Sequence, residues 1–104
     1  GAKTLVVMDV TILPGKRHDF HKHPEQDEVI VVRSGRLKQY VEQGSELLGP
    51  GDSVFVPADV VHASIALGDE PAVLEVVIAP ALGEDTGYEL VDMSTVEPYA
   101  SLRD

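Results

Sequence analysis

The chain has no cysteine, which removes disulfides, thiolate metal ligands and cysteine nucleophiles together. Any metal site must then be built from nitrogen and oxygen donors, and a cysteine-free chain fits the cytoplasm. Basic residues are scarce, with 8 Lys and Arg against 18 Asp and Glu and a net charge of −10. That balance repels phosphate backbones and anionic lipid heads, so nucleic acid and membrane surfaces are not expected partners, whereas cations are welcome. No apolar run approaches the roughly 20 residues needed to cross a bilayer. The first ten residues mix Lys3 and Asp9 into a strand-like run, so no signal peptide is expected within them. Neither a glycine-rich phosphate loop nor a serine nucleophile elbow occurs. A sustained 3.6-residue period is also missing, which leaves little room for helices.

What remains is β-rich. A chain of 104 residues buries roughly two thirds of its unfolded surface as one domain, so residues 1–104 are expected to form a single unit, with a weaker signal over 81–104. Residues 4–13 are rich in β-branched side chains and stop at Pro14-Gly15. Further strands are expected over 27–33, 37–42, 53–56, 60–66, 72–79 and 88–93, with 99–104 as a loose tail. Gly83-Glu84-Asp85 reads as a solvated loop. About eight strands separated by turns at intervals of about 8 to 12 residues favour a sandwich or small barrel.

If Ser34-Gly35 is the two-residue loop of a hairpin, Val32 faces Leu37, Ile30 faces Gln39 and Glu28 faces Val41. Those six residues then share one face, apolar except for Glu28 and Gln39. A carboxylate there needs a partner that offsets its desolvation, and a metal is one. The opposite face carries Val29 and Val31, so the strand is expected to be covered on both sides, with a second subunit as one cover.

His21 and His23 are two residues apart, and in an extended segment both point to one side. Glu28 follows, and His62 lies on an expected strand with Ser64 and Ala66 on its face. A lone histidine among apolar residues is more often a hydrogen-bonded core residue than a ligand. Three imidazoles and a carboxylate, however, complete a first shell for a borderline transition metal. His18 is either a solvent-facing loop residue or a proton-shuttling neighbour of the site. Gln39 could bond a metal-bound water or a backbone group. Phe20, Tyr40 and Phe55 could line a pocket, although aromatics make up only 5% of the chain and the core needs them.

These residues carry a resemblance. Gly15, His21, His23, Glu28 and Gly35 are spaced like the first motif of the cupin superfamily, and Gly51, Pro57 and His62 like the second. Two positions depart from it: Asp59 stands where the family has glycine, and Ala66 where it has asparagine. Asp tolerates a positive φ better than most residues, so the turn is expected to survive. The resemblance implies an all-β, antiparallel jelly-roll barrel holding one divalent transition metal (Mn, Fe, Ni, Cu or Zn) per chain through His21, His23, Glu28 and His62. It further implies a homodimer and a small-molecule substrate. The expected substrate pocket draws on Gln39, Ile30, Phe20, Phe55 and Ser64, with Glu28 and His18 as candidate catalytic residues. Two functions compete: a metal-dependent enzyme of dioxygenase, isomerase, lyase or decarboxylase type, and a non-catalytic module that binds a metal or small ligand.

Overall fold

The computed structural model describes residues 4–82 and 88–102; the expected loop at Gly83-Glu84-Asp85 lies outside them. The described residues form nine strands: β1 Val6–Ile12, β2 Arg17–Lys22, β3 Asp27–Ser34, β4 Arg36–Val41, β5 Gly44–Leu48, β6 Ser53–Val56, β7 His62–Leu67, β8 Ala72–Ala79 and β9 Val91–Asp92. They build two antiparallel sheets, ordered β1-β8-β3-β6 and β5-β4-β7-β2-β9. The all-β jelly roll expected from the motifs is the observed architecture.

Alternation along the strands sets the core. In β8, Ala72, Leu74, Val76 and Ile78 are buried and the residues between them are half-buried. These four pack with Ile12, Ile30, Val32, Leu37, Leu48, Val56 and Ala66 between the sheets. Burying each such aliphatic side chain is worth about 1.5–3 kcal/mol.

The expected hairpin is corrected. β3 pairs with β6 and β8, and β4 with β5 and β7, so the chain crosses between sheets at Gly35. Gly35 has φ +77°, and a Cβ there would collide with the backbone of Pro71 and Ala72. The six residues placed on one face do all point inward, because period-two parity survives even though the partners are wrong. Asp59 adopts φ +67°, as the departure from glycine requires.

The two outer faces differ. On the five-stranded sheet, Phe20, Tyr40, Val61, Ala63 and Ile65 are covered by Met93, Tyr99 and Leu102. The expected loose tail is therefore wrong up to Leu102, since a short 3-10 helix, Tyr99–Ser101, sits on the sheet. The four-stranded sheet has no such cover among the described residues. Registers align Val7, Val77, Val29 and Phe55 in one row across its four strands, and Val7 and Phe55 are each 56% exposed. None of the described residues supplies the cover expected over Val29 and Val31.

Candidate metal centre

His21 ends up inside because of a bulge. His18 is opposite Ser64 and His21 is opposite His62, so three residues of β2 span two of β7. The extra residue puts both histidines on the inward side and sends Phe20 outward. His23 follows β2, in a loop pinned when its carbonyl accepts hydrogen bonds from Asp59 N (2.9 Å) and Gln26 N (3.3 Å). Asp27 Oδ1 accepts a further bond from Ala58 N at 2.8 Å, which draws the turn ahead of β7 toward the histidines. Glu28 projects from β3 in the opposite sheet, so the site bridges the two layers at one end of the barrel.

The four side chains converge. One donor atom from each of His21, His23, Glu28 and His62 lies within 4.8 Å of the others. The His21 and His62 rings are 4.2 Å apart between centroids. His23, Glu28 and His62 are buried, and His21 is half-buried.

Each imidazole is aimed by its Nδ1, which is hydrogen-bonded to a backbone carbonyl: Asp19 O for His21 at 2.6 Å, Glu89 O for His23 at 2.7 Å and Val60 O for His62 at 3.1 Å. A neutral ring that donates from Nδ1 keeps an Nε2 lone pair, and carbonyl partners of this kind fix ligand orientation in metal sites. Glu28 Oε1 lies 3.1 Å from His23 Nε2 and 2.8 Å from His62 Nε2. Even so, buried Glu28 Oε1 and His62 Nε2 have no aligned hydrogen-bond partner. Buried polar atoms left in that state are costly. Acceptors crowded around one point fit a shared cation, and this is the observation that tests the donor set against a metal.

Electrostatics agree. Burial works to raise the Glu28 carboxyl, but the His23 and His62 imidazoles outweigh it and hold Glu28 down to about 2. Burial, joined by His62, lowers His21 to about 4. Burial also opposes the charge on His23, yet Glu28 and the Glu89 carbonyl raise it above its usual value. Glu28 is therefore anionic and His21 neutral across the physiological range, as ligands must be.

A cavity of about 390 Å³ opens onto this cluster, lined among others by Met8, Val10, Val76, Ile78, Tyr88 and Leu90, with His18, Asp19 and Asp92 also on its wall. Of the expected pocket residues, only Phe20 borders this cavity, and its fully buried ring packs on Tyr40 and Tyr99. Phe55 is on the exposed outer face because it pairs with Val29, and Ile30 is core. Ser64 Oγ donates to Gln39 Oε1 at 2.6 Å, and Gln39 Nε2 donates to Tyr40 O at 3.1 Å, so the two polar residues satisfy one another away from the cavity. His18 is exposed and borders it.

Sequence reading missed the wall supplied by Tyr88, Leu90 and Asp92. A hint lay in Gln26, whose Nε2 donates to Pro80 O at 2.7 Å and whose Oε1 accepts from Glu89 N at 3.0 Å. This buried amide ties the late segment to the barrel, but a single Gln announces no partner in sequence.

The structure is a jelly-roll barrel with three imidazoles and one carboxylate converging at its mouth, a group that could hold a metal ion. The chain belongs to the cupin family: the Cupin domain profile matches residues 8–78. No curated protein matches it, but solved structures do. TT1209 from Thermus thermophilus is 30% identical, with 77% of this chain and 76% of that one covered and a TM-score of 0.73. A double-stranded β-helix protein from Klebsiella pneumoniae is 26% identical, covering 88% and 77%, with a TM-score of 0.74. The DMSP lyase DddQ from Ruegeria pomeroyi is 26% identical, with 89% of this chain but only 45% of DddQ covered and a TM-score of 0.75.

Proposed function

We propose that this cupin binds one divalent transition metal (Mn, Fe, Ni, Cu or Zn) through His21, His23, Glu28 and His62 and acts as a metal-dependent enzyme on a small organic substrate. The observation that carries this reading is the convergence of one donor atom from each of His21, His23, Glu28 and His62 within 4.8 Å of the others, beside an open cavity. Four protein ligands leave positions free on a five- or six-coordinate ion, and the bound ion would supply Lewis acidity or redox chemistry. The chain's own part is to fix the imidazoles through backbone carbonyls, to keep Glu28 ionised, and to surround the substrate with apolar walls that exclude water. The likeness to a DMSP lyase supports catalysis and leaves dioxygenase, isomerase, lyase and decarboxylase chemistry to be separated by assay.

A non-catalytic binding module is the second reading. It is favoured by the weak supply of acids and bases beyond the ligands, since His18 and Asp92 are exposed and Asp19 and Tyr88 half-buried. Metal-loaded protein screened against small organic acids, with oxygen uptake and product release followed, separates the two. Turnover that falls at least about a hundredfold in Glu28→Gln supports the enzyme; retention of a ligand without turnover supports the module. We also propose a homodimer joined through the Val7, Val77, Val29 and Phe55 row, on the ground that the described residues leave this row uncovered, with Val7 and Phe55 exposed.

A further inference from the structure

Gln26 is buried in the loop between β2 and β3, only 1% exposed, and its side chain bonds two distant stretches of backbone. Nε2 donates to Pro80 O at 2.7 Å, just after β8, and Oε1 accepts from Glu89 N at 3.0 Å, just before β9. The amide can sit only this way round, because a carbonyl accepts and a backbone N–H donates. An ionised glutamate in its place would set an acceptor against Pro80 O, and an aliphatic side chain would leave both backbone groups without this partner.

The Glu89 end of this clamp leads back to the ligand cluster. Glu89 O accepts from His23 Nδ1 at 2.7 Å, and His23 O accepts from Gln26 N at 3.3 Å. With the bond from Glu89 N to Gln26 Oε1, these close a ring through His23, Gln26 and Glu89. The other two imidazoles are held differently. Asp19 O and Val60 O, which receive Nδ1 of His21 and His62, each stand two residues before the histidine they hold. The carbonyl that aims His23 stands 66 residues away along the chain, and the β9 pairing with β2 starts only beyond it, at Val91.

His21 and His62 are thus oriented by their own segments, whereas His23 is oriented by a contact that Gln26 maintains. An imidazole that loses its Nδ1 acceptor is free to turn, and its Nε2 then leaves the direction in which a ligand must point. In the structure His23 Nε2 lies 3.1 Å from Glu28 Oε1, close enough for the two to share an ion.

We propose that Gln26 is a positioning residue for His23, acting through the Glu89 backbone to keep Nε2 turned toward Glu28. Its consequence for metal affinity rests on the metal-dependent reading above, whereas the link itself belongs to the protein with or without an ion.

The test compares the parent with Gln26→Met and Gln26→Glu, isotope-labelled at the histidine ring nitrogens. Met matches glutamine in length and makes neither bond, whereas Glu keeps the acceptor for Glu89 N and gives up the donor to Pro80 O. In nuclear magnetic resonance spectra of metal-free protein, the ring-nitrogen and Nδ1–H signals of His23 are expected to shift or broaden in Gln26→Met, with those of His21 and His62 unmoved. Gln26→Glu is expected to leave the His23 signals closer to the parent. A residue that only fills space would give the opposite order, since Met is the milder replacement in a packed interior and Glu buries a charge. Apparent affinity for Zn or Co, measured by chelator competition, should fall about ten- to a hundredfold in Gln26→Met. Glu89→Pro, which deletes the N–H that Gln26 Oε1 accepts and keeps the carbonyl, is expected to move the same His23 signals and serves where Gln26→Met does not fold. His23 signals unmoved in Gln26→Met or Glu89→Pro, equal shifts in all three histidines, or a greater disturbance in Gln26→Glu than in Gln26→Met would each overturn the proposal. Parent protein that binds no metal would overturn the metal-dependent reading instead, and the ring signals of that metal-free protein still decide the role of Gln26.

Discussion

Two histidines of the cluster, His21 and His23, are alike in sequence and unlike in protonation, and their surroundings explain why. His21 is driven down to about 4 by burial and by His62, so no proton competes for it near neutrality. His23 is held above its usual value by Glu28 and the Glu89 carbonyl, which outweigh burial. A metal entering the site must displace that proton, because ligation requires the neutral ring. Apparent metal affinity is therefore expected to rise with pH over the interval, above the usual histidine range, in which the raised His23 loses its proton. The corresponding proton release should appear as a dependence of the binding heat on buffer ionisation enthalpy. An affinity flat over that interval would contradict this assignment of the proton to His23. The four residues that converge were legible in sequence, because the two-residue spacing of His21 and His23 and the placement of Glu28 and His62 are matters of type and interval. The Nδ1 partners were not, since Asp19, Glu89 and Val60 contribute backbone carbonyls, which any residue possesses.

At the level of elements, the strands came through the sequence better than their pairing. β3 and β4 look like a hairpin around Gly35 because alternation and a glycine are all that a local reading can see. The backbone of Pro71 and Ala72 packed against Gly35 turns that glycine into a crossing point between sheets, and that contact lies about a third of the chain away. β5, Gly44–Leu48, was hidden between two turn signals, and four of its five residues are exposed. β2 carries a bulge that no pattern announces, and the bulge is what turns His21 inward. The C-terminal segment reads as a tail because Tyr99 and Leu102 have no period of their own. They are ordered by the apolar outer face that they cover. The Phe20 and Tyr99 rings lie 5.1 Å apart, so Tyr99→Ala is expected to cost about 1–3 kcal/mol in chemical denaturation. The four converging side chains would keep their positions, since Tyr99 packs on the far side of the sheet. A variant as stable as the parent would show that the segment does not hold the sheet.

For the molecule as a whole, the bare sheet and the covered sheet make a single contrast. One outer face is closed by the chain's own C-terminal residues, while the other exposes Val7 and Phe55 in a row that runs across four strands. Apolar patches of this kind mark interaction surfaces. A homodimer through that face is expected to dissociate on Phe55→Glu, which would place like charges across a two-fold contact. Analytical ultracentrifugation should then show a dimer for the parent and a monomer for the variant, whereas a monomeric parent would refute the proposal. The net charge of −10 is a property of composition, plain from the start. That Asp19 and Asp92 border the same cavity emerges only once β2 and β9 are side by side.

The central claim is that His21, His23, Glu28 and His62 jointly hold one ion, and elemental analysis of the purified protein tests it most directly. About one divalent transition metal per chain is predicted, absent from His21→Ala/His62→Ala. Protein that contains none, and whose melting temperature is unmoved by added Mn, Fe, Ni, Cu or Zn, would contradict it.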